Sequence, residues 1–291
     1  MLRIELIEKS GYLGEQHNVT TEDGYILTVF RILKSPSEFS NKSVDKPVIF
    51  MLCALPTNSD AWLVRGPKRS LAMQLVDEGY DVWLGNYRGT TYGRSHVKLS
   101  PDDKKFWDYS FHEHGYYDVP ASIDFVLNIT NQNSLIYIGM SMGTTSIFIT
   151  LSERPEYNSK IQLVICLGPV AGGFRQFDYE SNIKNIQHYG KSKPPKYNLK
   201  NVKSPMLFFY GENDPLSTAK DSEEIIKRVS SKVLAEPVPH KAFSHFDFVL
   251  AKDVKKLLNE RIIERLYQFA NKKIFFDDTQ LINTSSIKSL D

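Results

Sequence analysis

Short, continuous apolar segments alternate with segments of helical periodicity through most of this chain. The apolar segments are PVIFML, DVWLGN, LIYIGM, IQLVICL and PMLFFYG. The segments with helical spacing are RSLAMQLVDEGY, DVPASIDFVLN, TTSIFITLSER and KDSEEIIKRVS. Strands that are apolar on both faces have to be covered on both faces, and helices that lie between them in the chain supply that cover. The pattern therefore predicts an α/β fold with a mostly parallel, doubly wound sheet and helices on both faces.

The two ends of the chain complete this organisation. HNVTTEDGYILTVFRI predicts two strands that turn at Glu22, Asp23 and Gly24, because an Asp-Gly pair between β-branched and aromatic runs favours a hairpin. A last helix is predicted from about Asp253 to Ala270.

The chain has 291 residues and is 41% hydrophobic, which is enough to bury one large core. We predict a single domain over residues 1–270 and a polar, frayed tail over residues 271–291. Within the domain, residues 168–204 are rich in Pro and Gly and predict loop and short turns.

Composition excludes several classes of function. The formal charge is only +2 and the basic residues are scattered, so we expect no nucleic-acid partner. No apolar run approaches the length of a membrane helix, and glutamates interrupt the N-terminal segment where a signal peptide needs an apolar run. We therefore expect neither a transmembrane segment nor a signal peptide in the chain as given.

No pattern indicates a metal or another cofactor. The histidines outside the motifs discussed below show no metal-binding spacing and are interpreted as surface or second-shell groups: His17, His96, His112, His114 and His188. Cys53 and Cys166 lie in apolar contexts that favour buried free thiols over a disulfide framework. Four N-x-[ST] sequons, a weak indication of a secreted glycoprotein, occur at Asn18, Asn41, Asn128 and Asn283.

One short motif carries chemistry. In SLIYIGMSMGTTSIF, Ser141 lies between Gly139 and Gly143, where an apolar strand meets a segment that opens a helix. A G-x-S-x-G sequence in this position is typical of a nucleophile elbow, in which a strained serine projects from a tight strand-to-helix turn. The two glycines let the strand and the helix approach without a side-chain clash.

A serine becomes nucleophilic only when a base accepts its proton, and an elbow predicts an acid and then a histidine later in the chain. Asp214 follows the apolar run PMLFFYG, and His245 precedes the last helix. Asp214 would orient the imidazole that accepts the proton of Ser141. Alternatives remain: Asp214 before Pro215 also fits a simple turn residue, and His240 and Asp247 are competing neighbours.

At this point the chain resembles the acid lipases of the α/β-hydrolase fold, a family that includes gastric, lysosomal and insect lipases. The resemblance runs from about Gly11 to Leu266 through GPKRSLAMQLVDEGYDVWLGNYRGTTYGRSH, LSPDDKKFWDYSFHEHGYYDVPASIDFVL, QHYGKSKPPKYNLKNV, GENDPLS and SHFDFV. It implies a serine hydrolase of lipid esters, triacylglycerol or steryl esters, that works at a lipid-water interface and is secreted or lysosomal. By this resemblance, Ser141, Asp214 and His245 are nucleophile, acid and base.

Two departures from the family lie near the predicted site. Cys53 and Ala54 stand where the family has His-Gly before the leucine of its oxyanion loop; the backbone N–H of Leu55 would still be one oxyanion donor, and that of Met142 the second. Alanine in place of glycine threatens the path of this loop. Met140 and Met142 replace the usual His and Gln beside the serine, so polar contacts are lost there.

The third departure is the largest. Ser141 and Asp214 are only 73 positions apart, and CLGPVA runs almost directly into GGFRQFDY where the family inserts a helical cap with its lid. A naturally capless variant, a splice form or an incomplete gene model would explain the short interval, and the missing signal peptide fits the last two. The alternative function is a catalytically weak or inactive relative that binds lipid or a partner.

Overall fold

The computed structural model describes residues 3–34, 46–54, 56–170, 174–272 and 280–281. Within these residues, ten strands form one sheet in the order β1-β2-β4-β3-β6-β7-β8-β9-β10, and β5 pairs with β2. The strands are β1 (Leu13–Thr20), β2 (Tyr25–Leu33), β3 (Val48–Leu52), β4 (Asp81–Leu84), β5 (Ser95–His96), β6 (Leu135–Met140), β7 (Ile161–Leu167), β8 (Met206–Tyr210), β9 (Val233–Pro237) and β10 (Gln280–Leu281).

Helices lie between the strands as the alternation predicted. They are α1 (Arg3–Lys9), α2 (Leu71–Asp77), α3 (Phe111–Glu113), α4 (Val119–Thr130), α5 (Met142–Glu153), α6 (Asn182–Tyr189), α7 (Ala219–Ile226), α8 (Asp247–Leu250) and α9 (Glu260–Ala270). A π-helical turn over His114–Asp118 leads into α4, and a second over Lys255–Asn259 leads into α9.

The direction of the strands confirms the predicted sheet. β1 and β2 form the antiparallel hairpin, β2 pairs antiparallel with β4, and the run from β4 through β3 and β6 to β10 is parallel. Gly24 in the hairpin turn has φ +97°, which only glycine adopts without strain. Because parallel strands end at the same edge, the loops that follow β6, β7, β8 and β9 gather there.

The core consists of one apolar layer on each face of the sheet. Alternate residues of β6 contribute to different layers: Ile136 and Ile138 face α2 and α9, whereas Tyr137 faces α4 and α5. Strand side chains alternate between faces, so a continuous apolar strand supplies both layers.

Two segments differ from the sequence-based expectation. Residues 168–204 were predicted as loop and short turns, but they contain the regular helix α6. Ser181 caps its first turn and Gly190, in the left-handed conformation, ends it. In the tail, Gln280–Leu281 pairs with β9 in parallel, while residues 273–279 and 282–291 lie outside the described part of the chain.

A buried arginine joins the hairpin to the helices behind it. The Arg88 guanidinium bonds Asp118 at 2.8 Å, just before α4, and both oxygens of Asp23 in the hairpin turn at 2.5 and 2.9 Å. Removing one partner of such a buried pair typically costs about 3–5 kcal/mol, since the other charge stays buried.

Of the two alternatives for His114, a surface group or a supporting group behind a site, its burial excludes the first. His114 packs beside Tyr87 and Tyr109, and neither of its ring nitrogens has a hydrogen-bond partner within the described residues. Burial and the nearby Arg88 charge lower the pKa of His114 to about 3. The imidazole is therefore held neutral over a wide acidic range.

This histidine makes the fold sensitive to acid. Below about pH 6.5 the unfolded chain binds a proton at His114 and the folded chain does not, so the free energy of unfolding falls as pH falls. Relative to neutral pH, we expect a loss of about 3 kcal/mol at pH 4 from this group. His114→Phe keeps an aromatic ring and should lose less stability between pH 7 and pH 4 in urea titrations. Parallel pH profiles for parent and variant would contradict this prediction.

Candidate active site

Ser141 occupies the tight turn between β6 and α5. Its backbone has φ 53° and ψ −113°, a conformation that costs a residue with a side chain about 1–3 kcal/mol. The Ser141 N–H donates to the carbonyl of Leu167 at the end of β7, 3.0 Å away. The sequence-based expectation of a strained serine at a strand-to-helix turn is confirmed.

The glycines around Ser141 are required by space. A Cβ on Gly139 would lie 2.7 Å from the carbonyl carbon of Gly143, and a Cβ on Gly143 would lie 2.3 Å from the carbonyl oxygen of Leu52. Both distances are far below van der Waals contact. The glycines thus let β6, α5 and the end of β3 meet at one point.

The structure brings the three predicted side chains together. His245 Nε2 lies 2.7 Å from Ser141 Oγ, and His245 Nδ1 lies 2.8 Å from Asp214 Oδ2. A carboxylate accepts from Nδ1–H, which leaves Nε2 free to accept the proton of the serine hydroxyl. His245 and Asp214 are buried, so water competes little for these bonds.

Asp214 acts as a turn residue and as a partner of histidine at once. Its Oδ1 accepts the backbone N–H groups of Leu216 at 2.8 Å and Ser217 at 2.9 Å, while Oδ2 is directed at His245. The two alternatives drawn from the sequence are therefore compatible, because each uses a different oxygen. The turn bonds fix the carboxylate that fixes the imidazole.

The competing residues lie elsewhere. His240 is exposed in a turn after β9, and no hydrogen bond within the described chain joins it to Ser141. Asp247 Oδ2 accepts the N–H of Ser244 at 2.7 Å at the start of α8. Neither has the geometry that His245 and Asp214 show.

Two further residues support the arrangement and were missed in the sequence. Gly168 follows β7 with φ +60°, and a Cβ there would come within 3.3 Å of His245 Cε1 and 3.4 Å of Asp214 Oδ2. Ser217 Oγ donates to the carbonyl of Pro169 at 2.6 Å, which ties the Asp214 loop to the end of β7. A glycine directly after a predicted strand was the available signal.

The predicted oxyanion donors are only partly described. Leu55 lies outside the described residues. Met142 is the first residue of α5, where backbone N–H groups have no carbonyl within the helix to bond. Ala54 is not among the described residues with positive φ outside glycine, which are Asn131, Ser141, Phe174, Glu180 and Lys272. Alanine in place of glycine therefore causes no strain through a positive φ at position 54.

The unusual residues beside the site are apolar packing groups. Met140 is buried in the layer of α2 and α9, and Met142 packs partly against the opposite layer. Cys53 is a buried free thiol whose pKa is raised by burial, and Cys166 is likewise free and buried. No helix within the described ranges is long and apolar enough to span a bilayer.

Exposed apolar side chains flank the acid and the base. Leu216 follows Asp214 closely, Phe246 follows His245, and Leu250 ends the short helix α8; each is about half exposed. We call these three residues the apolar rim. Among the described residues, no three His, Cys, Asp or Glu side chains converge as a metal site would require.

The elbow contact yields a test of the local packing. Gly143→Ala adds a methyl group against the Leu52 carbonyl, and such overpacking costs about 1–3 kcal/mol. We expect a lower urea midpoint than for the parent, whereas Thr145→Ala on the same helix should change it little. Stabilisation by Gly143→Ala, the result expected from helix propensity alone, would show that the end of β3 can move aside.

Comparisons with known proteins place this geometry in context. Residues 4–66 match the family model described as a partial alpha/beta-hydrolase lipase region, and residues 47–180 match the alpha/beta hydrolase fold model. An esterase of Pyrococcus furiosus superposes with a TM-score of 0.59 at 16% identity, covering 91% of this chain and 94% of that one. This likeness shows the fold.

The sequence relatives are lipases. Lipase 1 of Drosophila melanogaster is 33% identical, with 90% of this chain and 79% of the relative covered. Bovine gastric triacylglycerol lipase is 28% identical over 89% of both chains, and human lysosomal acid lipase/cholesteryl ester hydrolase is 28% identical over 91% of this chain and 90% of its own.

The alignment with Lipase 1 spans 355 positions, more than the 291 residues of this chain, so the relative carries inserted residues that are missing here. With its elbow, its sheet and these relatives, the chain belongs to the acid-lipase family of the α/β-hydrolase fold.

Proposed function

We propose that this chain is a serine carboxylic ester hydrolase that acts on lipid esters. The observation that carries the proposal is the continuous hydrogen-bonded line from Ser141 Oγ through His245 to Asp214, built on a strained elbow. Relatives named as triacylglycerol lipase and cholesteryl ester hydrolase favour triacylglycerols or steryl esters as the substrate class.

In the proposed reaction, Ser141 Oγ attacks the ester carbonyl carbon while His245 Nε2 accepts the hydroxyl proton. The tetrahedral intermediate carries an oxyanion, which the backbone N–H groups of Met142 and Leu55 would stabilise. When the intermediate collapses, the C–O bond to the alcohol breaks and His245 returns the proton to the leaving alkoxide. An acyl-enzyme remains on Ser141.

Water completes the cycle by the same steps. His245 accepts a proton from a water molecule that attacks the acyl carbonyl, and the second tetrahedral intermediate releases the acid and restores the Ser141 hydroxyl. Asp214 stabilises the imidazolium that forms in both halves without itself taking the proton. No metal or cofactor takes part in the proposed steps.

The apolar rim supplies a surface for the acyl chain. Leu216 and Phe246 each lie within two residues of a proposed catalytic group, which puts exposed apolar surface beside Asp214 and His245. An exposed apolar patch of this kind on a folded protein marks a binding surface. It supports a lipid substrate over a polar ester.

We further propose a secreted or lysosomal location, in line with the relative named as lysosomal. Two sequons, Asn18 and Asn128, are exposed on β1 and α4 and would be accessible to glycosylation. The other two, Asn41 and Asn283, lie outside the described residues.

The assignment of nucleophile and base can be tested with a fluorophosphonate probe, which labels only an activated serine. Ser141→Ala should abolish labelling and hydrolysis of p-nitrophenyl butyrate, and His245→Ala should lower both by a factor on the order of 10³ or more. His240→Ala is the matched control and should retain both. If His240→Ala abolished activity and His245→Ala did not, His245 would not be the base. An unlabelled but folded parent protein would favour the inactive lipid-binding alternative.

The short interval between Ser141 and Asp214 predicts the substrate profile. A lid covers the acyl-binding surface in water and moves aside at an interface, and most of that segment is missing here. We expect hydrolysis of soluble short-chain esters with no rise in rate above the solubility limit, and poor turnover of emulsified triolein. The measurement compares p-nitrophenyl butyrate below and above its solubility limit with triolein. A jump at the solubility limit, or a preference for triolein, would show that other loops form a lid.

A further inference from the structure

Helix α6 presents its apolar side chains to solvent and buries a polar one. Ile183 and Ile186, three residues apart and so on one face, are 70% and 52% exposed, while Asn185 between them is only 2% exposed. The nearby Phe177 is also exposed. This is the reverse of the usual surface helix, which turns its apolar stripe inward. We call Phe177, Ile183 and Ile186 the α6 patch.

Hydrogen bonds hold the helix in this orientation. Asn185 Nδ2 donates to Asp178 Oδ1 at 2.9 Å and to the Ser192 carbonyl at 3.0 Å, and its Oδ1 accepts the N–H of Tyr179 at 3.1 Å. The His188 ring stacks on that of Tyr179 at 3.9 Å. Rotating the isoleucines inward would break all of these contacts, so their exposure is built into the fold.

Lysines outnumber acidic residues in the chain around the α6 patch. Residues 177–203 contain six lysines against two acidic residues, Asp178 and Glu180, although the whole chain carries a formal charge of only +2. Lys184 on the helix and Lys191 and Lys193 just after it are exposed. Of the two acidic residues before the helix, Asp178 accepts a hydrogen bond from Asn185 and Glu180 is exposed. Exposed apolar side chains with an excess of lysines close to them in the chain suit an anionic lipid surface.

The α6 patch lies toward the edge of the sheet that holds Ser141. Helix α4 runs directly into β6, so the segment just before α4 is near the carboxyl end of β6. The Phe177 ring is 6.5 Å from that of Phe111, in this segment. Burial, the Tyr179 hydroxyl and the Glu113 carboxylate raise the pKa of Tyr189 to about 12. Because Glu113 belongs to the same segment as Phe111 and Tyr189 ends α6, this effect also places α6 beside that segment.

We propose that α6 and its lysines form a docking surface for the face of an anionic phospholipid bilayer. Two isoleucines and a phenylalanine offer far less area than the roughly 800 Å² per partner that a stable protein interface buries. The same few side chains suffice at a membrane, where each nearby lysine adds its own attraction to the anionic surface. The proposal extends the proposed function, because lipid esters are presented at surfaces, but it requires no turnover.

The direct test is vesicle sedimentation with the Ser141→Ala chain, so that loss of binding and loss of catalysis are distinguished. Vesicles of phosphatidylcholine alone are compared with vesicles containing roughly a third phosphatidylserine. We expect sedimentation with the anionic vesicles only, and release when salt rises from about 0.05 to 0.5 M, because salt screens the lysines.

Matched variants locate the surface. Lys191→Glu with Lys193→Glu should weaken binding about tenfold or more, and Ile183→Ser with Ile186→Ser should weaken it with the charge unchanged. Lys255→Glu with Lys256→Glu is the control: these lysines are exposed beside the apolar layer on the other face of the sheet, and binding should be retained. Circular dichroism checks that each variant is folded.

Three results would overturn the proposal. They are no sedimentation with either vesicle, equal binding to neutral and anionic vesicles, and loss of binding only in the Lys255/Lys256 variant. Sedimentation velocity without lipid supplies one more: a dimer that Ile183→Ser with Ile186→Ser dissociates would assign the α6 patch to a second copy of the chain.

Discussion

The close contact of three backbone segments at Ser141 is the constraint on which the rest of the site depends. β6, α5 and the end of β3 meet where a single methyl group on Gly143 would collide with the Leu52 carbonyl. Ser141 makes the turn between β6 and α5 in a strained conformation with φ 53°, and its hydroxyl bonds His245. The carbonyl oxygens of Leu52 and Cys53 thus lie beside Gly143 in the first turn of α5. The elbow therefore ties the nucleophile to the end of β3.

The parallel sheet converts this local constraint into an assembly. β7, β8 and β9 end at the same edge as β6, so Gly168, Asp214 and His245 reach Ser141 from three different loops. Their positions are coupled by short polar links, such as that from Ser217 to Pro169. Asp214 has two structural roles, because one of its oxygens accepts the hydrogen bonds of its own turn and the other holds the imidazole of His245. A shift of any one strand end would disturb the whole line.

Elements that a local pattern determines could be predicted from the sequence, whereas features that depend on packing in the folded chain could not. The strand over Ile161–Leu167 is apparent from its apolar run, and Asp-Gly at the hairpin marks the turn. Helix α6 was not predicted, because its isoleucines face solvent and it lacks the core-facing apolar stripe that marks most surface helices. Ser181 and Gly190 were its only local signals. The burial of His114 could not be inferred either, since Tyr87 and Tyr109 approach it only in the folded chain. The order serine, acid, histidine was visible, but only the fold brings the side chains together.

Loss of the inserted segment changes how the remaining surface must work. In a chain with a cap, apolar residues around the nucleophile are covered until substrate arrives, whereas here Leu216, Phe246 and Leu250 are already exposed. An exposed rim gives access but does not by itself discriminate between water and a lipid surface. Under the proposed membrane docking, helix α6 would supply that discrimination, since its lysines act over roughly a Debye length while its isoleucines act only on contact. The lysines would guide the approach, the isoleucines would make the contact and Ser141 would cleave the ester. A chain without a lid could then select where it works by the charge of the lipid surface.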